Sequence, residues 1–141
     1  ALAWSRLGAG ALFLVVAMGG TWVLVEGLKA VVDRPRPDLA WAVPDPDASF
    51  PSGHVMLVLV LAAAIVLVAT ASRGRAARGA GIALAVALAG LVGVSRVYLG
   101  QHHLTDVVGG LAAGGAWLLF AYLKFAALAE GARLASKQLW G

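Results

Sequence analysis

The chain contains no cysteine. Disulfides and thiolate metal sites are therefore excluded, and the redox compartment is left undetermined. Charge is scarce as well: 13% of residues are Asp, Glu, Lys or Arg, against 61% that are hydrophobic. A soluble domain carries about a quarter charged residues, so lipid is the natural solvent for this composition. No regular repeat, low-complexity tract or alternation typical of a lipid-facing barrel strand is present. The net charge of +4 comes without an aromatic and basic surface stripe, so nucleic acid is not an expected partner. In a hydrophobic chain a basic balance reports membrane topology instead.

Four apolar stretches are long enough to consider as spans: about Leu7 to Val32, Val55 to Ala71, Gly79 to Val94 and Leu104 to Ala129. A helix rises about 1.5 Å per residue, so roughly 20 residues cross the hydrocarbon core. The first and last stretches cross with room to tilt, and the middle two are near the lower limit. A secretory signal is the competing reading of the N-terminal run behind Arg6, but the run continues without a clear cleavage site into Lys29. The expected architecture is all-α: one domain over residues 1–141, an integral membrane helical bundle of about four transmembrane helices. Ala rather than Met at position 1 reads as processing, trimming or a fragment.

The breaks carry their own signals. Pro35 and Pro37 disfavour helix at the residues before them, ending the first helix near Asp33 or Arg34. Asp38 to Phe50, with Pro44, Pro46 and three acids, reads as an extramembrane connection. Ser52 stands where an N-cap belongs, and Ser72 to Arg78 is a short basic loop. Gly90 with Gly93, and Gly110 with Gly114, suit close helix approach. Packing within the chain is favoured over a dimer seam, and a homo-oligomer stays open.

Charge placement orients the bundle. Arg6, the loop arginines Arg73, Arg75 and Arg78, and Lys124, Arg133 and Lys137 share one side. Lys29, Arg34, Arg36 and Arg96 share the other with Glu26, Asp33, Asp38, Asp45, Asp47 and Asp106. The positive-inside rule puts the first side in the cytoplasm. Three polar clusters then meet at the opposite face, extracytoplasmic in a bacterial cytoplasmic membrane: Lys29 to Pro37, Pro51 to His54, and Ser95-Arg96 with His102 and Asp106.

Ionisable groups in a membrane are costly and mark function. His102 and Asp106, four residues apart, share a face if the segment is helical. An Asp accepting from one imidazole nitrogen leaves the other free as a nucleophile. His103, three residues from Asp106, competes for that role, and spacing alone does not exclude it. His54 follows Pro51-Ser52-Gly53 at a helix start, where backbone N–H groups attract phosphate oxygens. It could protonate a departing oxygen and later activate water. Lys29, Arg34, Arg36 and Arg96 supply cations for a phosphorus transition state. A capping histidine, a turn before a helix and snorkelling lysine or arginine would account for each cluster singly. They do not explain why three stretches bring cations to the face that holds two histidines.

The three-part pattern Lys29-x6-Arg36-Pro37, then Pro51-Ser52-Gly53-His54, then Ser95-Arg96-x5-His102-x3-Asp106 resembles the type 2 phosphatidic acid phosphatase superfamily. That superfamily also includes vanadium haloperoxidases, glucose-6-phosphatases and bacterial lipid pyrophosphate phosphatases. The resemblance covers Lys29 to Asp106. It implies that His102 forms a phosphohistidine, that Asp106 orients it, and that His54 is general acid and then base. Lys29, Arg36, Ser52, Gly53 and Arg96 would bind the phosphate, with Arg34 behind the site or in the loop. No metal or other cofactor is implied. Membrane members resemble a six-helix core with the first motif ending the third helix, so the first two helices are expected to be missing here. Either the chain is a fragment, or a partner or oligomer replaces that wall.

The implied substrate is a phosphomonoester or pyrophosphate of a lipid: undecaprenyl pyrophosphate, favoured by topology, or phosphatidylglycerol phosphate or phosphatidic acid. The tail would stay in the bilayer while the headgroup reaches the basic pocket. Trp41 and Phe50 of the polar connection could help discriminate substrates. The alternatives are a vanadate-dependent haloperoxidase, whose branch resembles soluble proteins, and a non-catalytic membrane protein that binds lipid headgroups.

Overall fold

In the computed structural model the chain forms four helices: α1 Leu2–Val32, α2 Gly53–Ala69, α3 Arg75–Tyr98 and α4 Leu104–Trp140. Residues 2–42 and 46–140 are described, with side chains from Gly8 onward. Pro44, Asp45 and the side chain of Arg6 lie outside the described residues. No strand occurs among those described.

Three segments, Gly8–Val32, Arg75–Tyr98 and Leu104–Trp140, are long and apolar enough to cross a membrane. At 17 residues, α2 is shorter, about 26 Å. It is also the most enclosed, packing against all three other helices, whereas α1 and α3 do not touch among the described residues. Its inward residues Val55, Met56, Leu59, Val60, Ala63 and Ala64 are buried. Large side chains on the other helices, such as Val15, Trp22, Leu91 and Leu123, face outward. That pattern suits a bundle whose solvent is hydrocarbon.

Small residues set the packing. The main core joins Phe13 and Ala17 of α1, Val60, Ala63 and Ala64 of α2, Ala85 of α3, and Leu118 and Ala121 of α4. Trp117 Nε1 donates to the Ala17 carbonyl at 2.8 Å and ties α4 to α1. Gly110 and Gly114 lie against α2, beside Ser52 and Met56. Gly93 lies against Val107 of α4, while Gly90 faces open space. The Gly110/Gly114 pair is thus used within the chain.

Local chemistry explains the turns. α1 stops at Val32 because Asp33 takes a left-handed φ of 43° and Pro35 keeps Arg34 out of the helical region. Asp tolerates that conformation better than most residues. α3 ends in a turn through Gly100, φ 68°, whose N–H donates to the Val97 carbonyl at 3.0 Å. Side chains of Ala42 and Leu39 pack closely on Gly100, so the polar connection lies over the turn that delivers His102.

Gly53 packs against Val25, two turns before α1 ends. The Ser52 carbonyl lies against Gly110, between one and two turns into α4. The start of α2 therefore sits roughly 10 Å below the ends of its neighbours, in a recess at one end of the bundle.

Candidate active site

The recess gathers the three clusters because successive helices reverse direction. The C-terminal ends of α1 and α3 and the N-terminal ends of α2 and α4 meet there. Lys29 closes α1, Arg96 closes α3, Ser52 to His54 open α2, and His102 to Asp106 open α4.

The start of α4 is organised by Asp106, which is 0% exposed. Its Oδ2 accepts the His103 backbone N–H at 2.8 Å, and the Asp106 N–H donates to the His103 carbonyl at 3.0 Å. This is the half of a capping box in which the side chain of the third helical residue reaches back to the cap N–H; the Asp106 N–H is taken by a main-chain carbonyl and not by the His103 side chain. Arg34 Nη1 donates to Asp106 Oδ1 at 2.9 Å and also to the Thr105 hydroxyl. The Asp106 carbonyl accepts the Ser52 N–H at 3.0 Å, which ties α4 to the start of α2.

His102 is buried, 4% exposed. Its Nδ1 lies 2.8 Å from the Ser49 carbonyl and 3.6 Å from Asp106 Oδ2. A carbonyl can only accept, so Nδ1 carries the proton and Nε2 keeps its lone pair. The sequence-based expectation that Asp106 directly takes the imidazole proton is therefore modified. The Asp106 carboxylate is occupied by Arg34 and the His103 amide, and a backbone carbonyl takes the hydrogen bond. Burial, then the nearby charge of Arg36, lowers the His102 pKa from 6.5, against the opposing pull of the Ser49 carbonyl and Asp106. The ring is thus held toward its neutral form. His103, half-buried, has Nδ1 3.3 Å from the same Asp106 oxygen.

Ser49 is the residue that sequence reasoning missed. It is 0% exposed; its N–H donates to the Arg34 carbonyl at 2.8 Å and its hydroxyl to the Pro35 carbonyl at 3.0 Å. A main-chain acceptor leaves no mark in a sequence.

The cations differ in their engagement. Arg36 Nη1 donates to the Gln101 carbonyl at 2.8 Å, and Nε to the Asp47 carbonyl at 3.0 Å. This bridges the connection to the residue before His102. Lys29 Nζ lies 3.6 Å from Asp47 Oδ2. Arg96 is half-buried, and its carbonyl accepts the Gln101 N–H at 3.0 Å. His54 is on the exposed side of the first turn of α2. Ser52 occupies the N-cap position but makes no side-chain capping bond. Ser52 Oγ and Arg96 Nε are buried polar atoms without a protein partner among the described residues. Buried polar atoms in native proteins nearly always find a partner, and a ligand oxygen could satisfy both.

Such a site offers a neutral imidazole with a free ring nitrogen, a second histidine at a helix N-terminus, and cations from three elements. It is suited to attack on a phosphorus centre whose oxygens carry negative charge.

The family model of the PAP2 superfamily matches residues 10–129. Phosphatidylglycerophosphatase B of Bacillus subtilis (strain 168) is 36% identical over 115 residues, 80% of this chain and 56% of that protein. The chain thus spans little more than half the length of this curated relative. A crystal structure of a transmembrane PAP2-type phosphatidylglycerolphosphate phosphatase from Bacillus subtilis matches with a TM-score of 0.70 and 31% identity. That match covers 86% of this chain and 67% of the other.

Proposed function

The chain belongs to the PAP2 superfamily, and from that premise we propose that it is an integral membrane lipid phosphatase acting through a phosphohistidine on His102. The observation that supports the mechanism most directly is the Nδ1–H of His102 donated to the Ser49 carbonyl, which leaves Nε2 as the nucleophile. Nε2 attacks phosphorus, and the bond to the lipid oxygen breaks as His54 gives that oxygen a proton. Water then attacks the phosphohistidine while His54 takes back a proton, releasing inorganic phosphate and the neutral imidazole. Lys29, Arg36, Arg96, the Ser52 hydroxyl and the Gly53 N–H hold the equatorial oxygens. Asp106 fixes the start of α4 on which His102 depends.

A recess about 10 Å below the helix ends suits a lipid headgroup whose tail remains in the bilayer. The charge distribution favours an extracytoplasmic opening in a bacterial cytoplasmic membrane. Topology alone favours undecaprenyl pyrophosphate as the substrate, but both relatives are phosphatidylglycerophosphate phosphatases, which moves phosphatidylglycerophosphate ahead of it. The test is phosphate release by purified protein in detergent from phosphatidylglycerophosphate, undecaprenyl pyrophosphate and phosphatidic acid, without added divalent metal. The highest kcat/KM is expected for phosphatidylglycerophosphate. A preference of tenfold or more for either other lipid, about 1.4 kcal/mol in transition-state binding, would reassign the substrate.

Asp47 bears on affinity. Its carboxylate is 70% exposed and pairs with Lys29, where a substrate oxygen would have to compete. Asp47→Asn is expected to lower KM by about 2- to 5-fold with kcat unchanged, the scale of an exposed ion pair. A higher KM in steady-state assays would show that Asp47 positions Lys29 instead.

A further inference from the structure

Four hydrogen bonds around the start of α4 are connected through one side chain that the three-part motif leaves out. The Arg34 carbonyl accepts the Ser49 N–H at 2.8 Å, and the Ser49 carbonyl accepts His102 Nδ1–H at 2.8 Å. One residue on, the His103 N–H donates to Asp106 Oδ2 at 2.8 Å, and Asp106 Oδ1 accepts Arg34 Nη1 at 2.9 Å. The circuit starts and ends at Arg34. Its main chain holds the carbonyl that fixes the imidazole, and its side chain holds the carboxylate that fixes the turn carrying that imidazole.

Resting on the phosphatase reading above, we propose that Arg34 is a positioning residue: its ion pair with Asp106 locks the segment leaving α1 to the start of α4 and holds His102 in a single orientation with Nε2 free. Arg34 and Arg36 sit two residues apart in one Arg-Pro-Arg-Pro run, yet their side chains have different partners. Arg36 reaches Gln101 and Asp47, whereas Arg34 reaches Asp106 and Thr105. Pro35 and Pro37 fix φ on the residues after each arginine, so this division is built into a stiff segment. An arginine already engaged with a fully buried carboxylate has its charge directed there rather than toward a phosphate. Deleting it would leave Asp106 buried without its counter-ion.

The experiment compares wild type, Arg34→Lys, Arg34→Ala, Asp106→Asn and the Arg34→Ala/Asp106→Asn double variant in detergent, each first shown to be folded by its thermal transition. The first readout does not depend on turnover. The chain has three histidines, and 15N-imidazole NMR, assigned with His54 and His103 variants, reports the His102 tautomer. One Nδ1–H tautomer is expected in wild type and Arg34→Lys, and a mixture in Arg34→Ala. The same single tautomer in folded Arg34→Ala would overturn the proposal even if no lipid were hydrolysed.

The second readout is kinetic. Arg34→Ala is expected to lose on the order of 10²-fold in kcat, the scale of a misplaced reacting group, with KM nearly unchanged and partial recovery in Arg34→Lys. Because Arg34 acts through Asp106, the double variant should be no slower than Asp106→Asn alone. Multiplying losses, or a raised KM at constant kcat, would make Arg34 an independent phosphate ligand and refute the assignment. Failure of wild type to release phosphate from any lipid would count against the phosphatase reading, and the tautomer result would still decide the role of Arg34.

Discussion

His102→Ala is expected to reduce phosphate release by at least about 10⁴-fold, the scale seen when a nucleophile is removed from an enzyme. The ring is buried, its Nδ1 proton is held by the Ser49 carbonyl, and Nε2 keeps its lone pair. Neighbouring groups cannot replace it. His103 is turned to the Asp106 carboxylate, and the cations have no lone pair to donate. His103→Ala should therefore stay within about tenfold of wild type, the value of one hydrogen bond. Rapid acid-free quenching with a phosphate-labelled lipid should trap label on wild type and none on His102→Ala. An equal loss in both histidine variants, or persistent labelling of His102→Ala, would move the nucleophile elsewhere.

The pH profile follows from the same environment. Burial and Arg36 lower the His102 pKa from 6.5, so the neutral nucleophile persists to lower pH than a solvated imidazole would allow. As pH falls through the lowered pKa, Nε2 becomes protonated and attack stops. The acid limb of kcat/KM for the free enzyme should lie below 6.5. In Arg36→Ala it should move upward, because the opposing cation is gone.

How much of this was legible in the sequence depends on whether a side chain or a main chain carries the information. Lipid as solvent was readable from scarce charge, and the end of α1 from Pro35 and Pro37. The outer limits of α3 and α4 were not. Hydropathy marks only the apolar part of a helix, so Arg75, Arg78, Ser95 and Arg96 seemed to lie outside the third span, yet α3 runs from Arg75 to Tyr98. α4 likewise continues past Ala129 to Trp140. Within the site, the family resemblance put Lys29, Arg36, Ser52, Gly53, His54, Arg96, His102 and Asp106 among the candidates, where spacing alone left Arg34 and His103 open, and the fold brings their elements to one end. The Ser49 carbonyl and the Arg34–Asp106 ion pair had no sequence signature. Both depend on backbone direction in a loop, which residue identity does not encode.

Gly110→Val is expected to be the most damaging change outside the reacting groups, because it separates the two helix starts that build the recess. A Cβ at Gly110 would lie 2.8 Å from the Ser52 carbonyl oxygen and 3.4 Å from Val55 Cβ. A main-chain oxygen at the first turn of α2 cannot rotate away, so α4 must move. That movement stretches the Ser52 N–H to Asp106 carbonyl bond, 3.0 Å in the native fold, and disturbs both the turn at the start of α2 and the Asp106 turn. Overpacking of this kind costs about 1–3 kcal/mol, and displacing reacting groups by about an ångström costs on the order of 10²-fold in rate. Two further glycines of α4 provide an internal scale. At Gly114 a Cβ would meet the flexible Met56 side chain at 3.2 Å, and at Gly115 it would meet nothing within 4 Å. Alanine should therefore be mildly destabilising at 114 and neutral or slightly stabilising at 115, where it favours helix. Thermal unfolding in detergent and lipid phosphate release should both rank the variants in that order, with Gly110→Val lowest. If Gly110→Val matched Gly115→Ala in both measurements, α4 would not rest on the start of α2, and the recess would have to be built by a different contact.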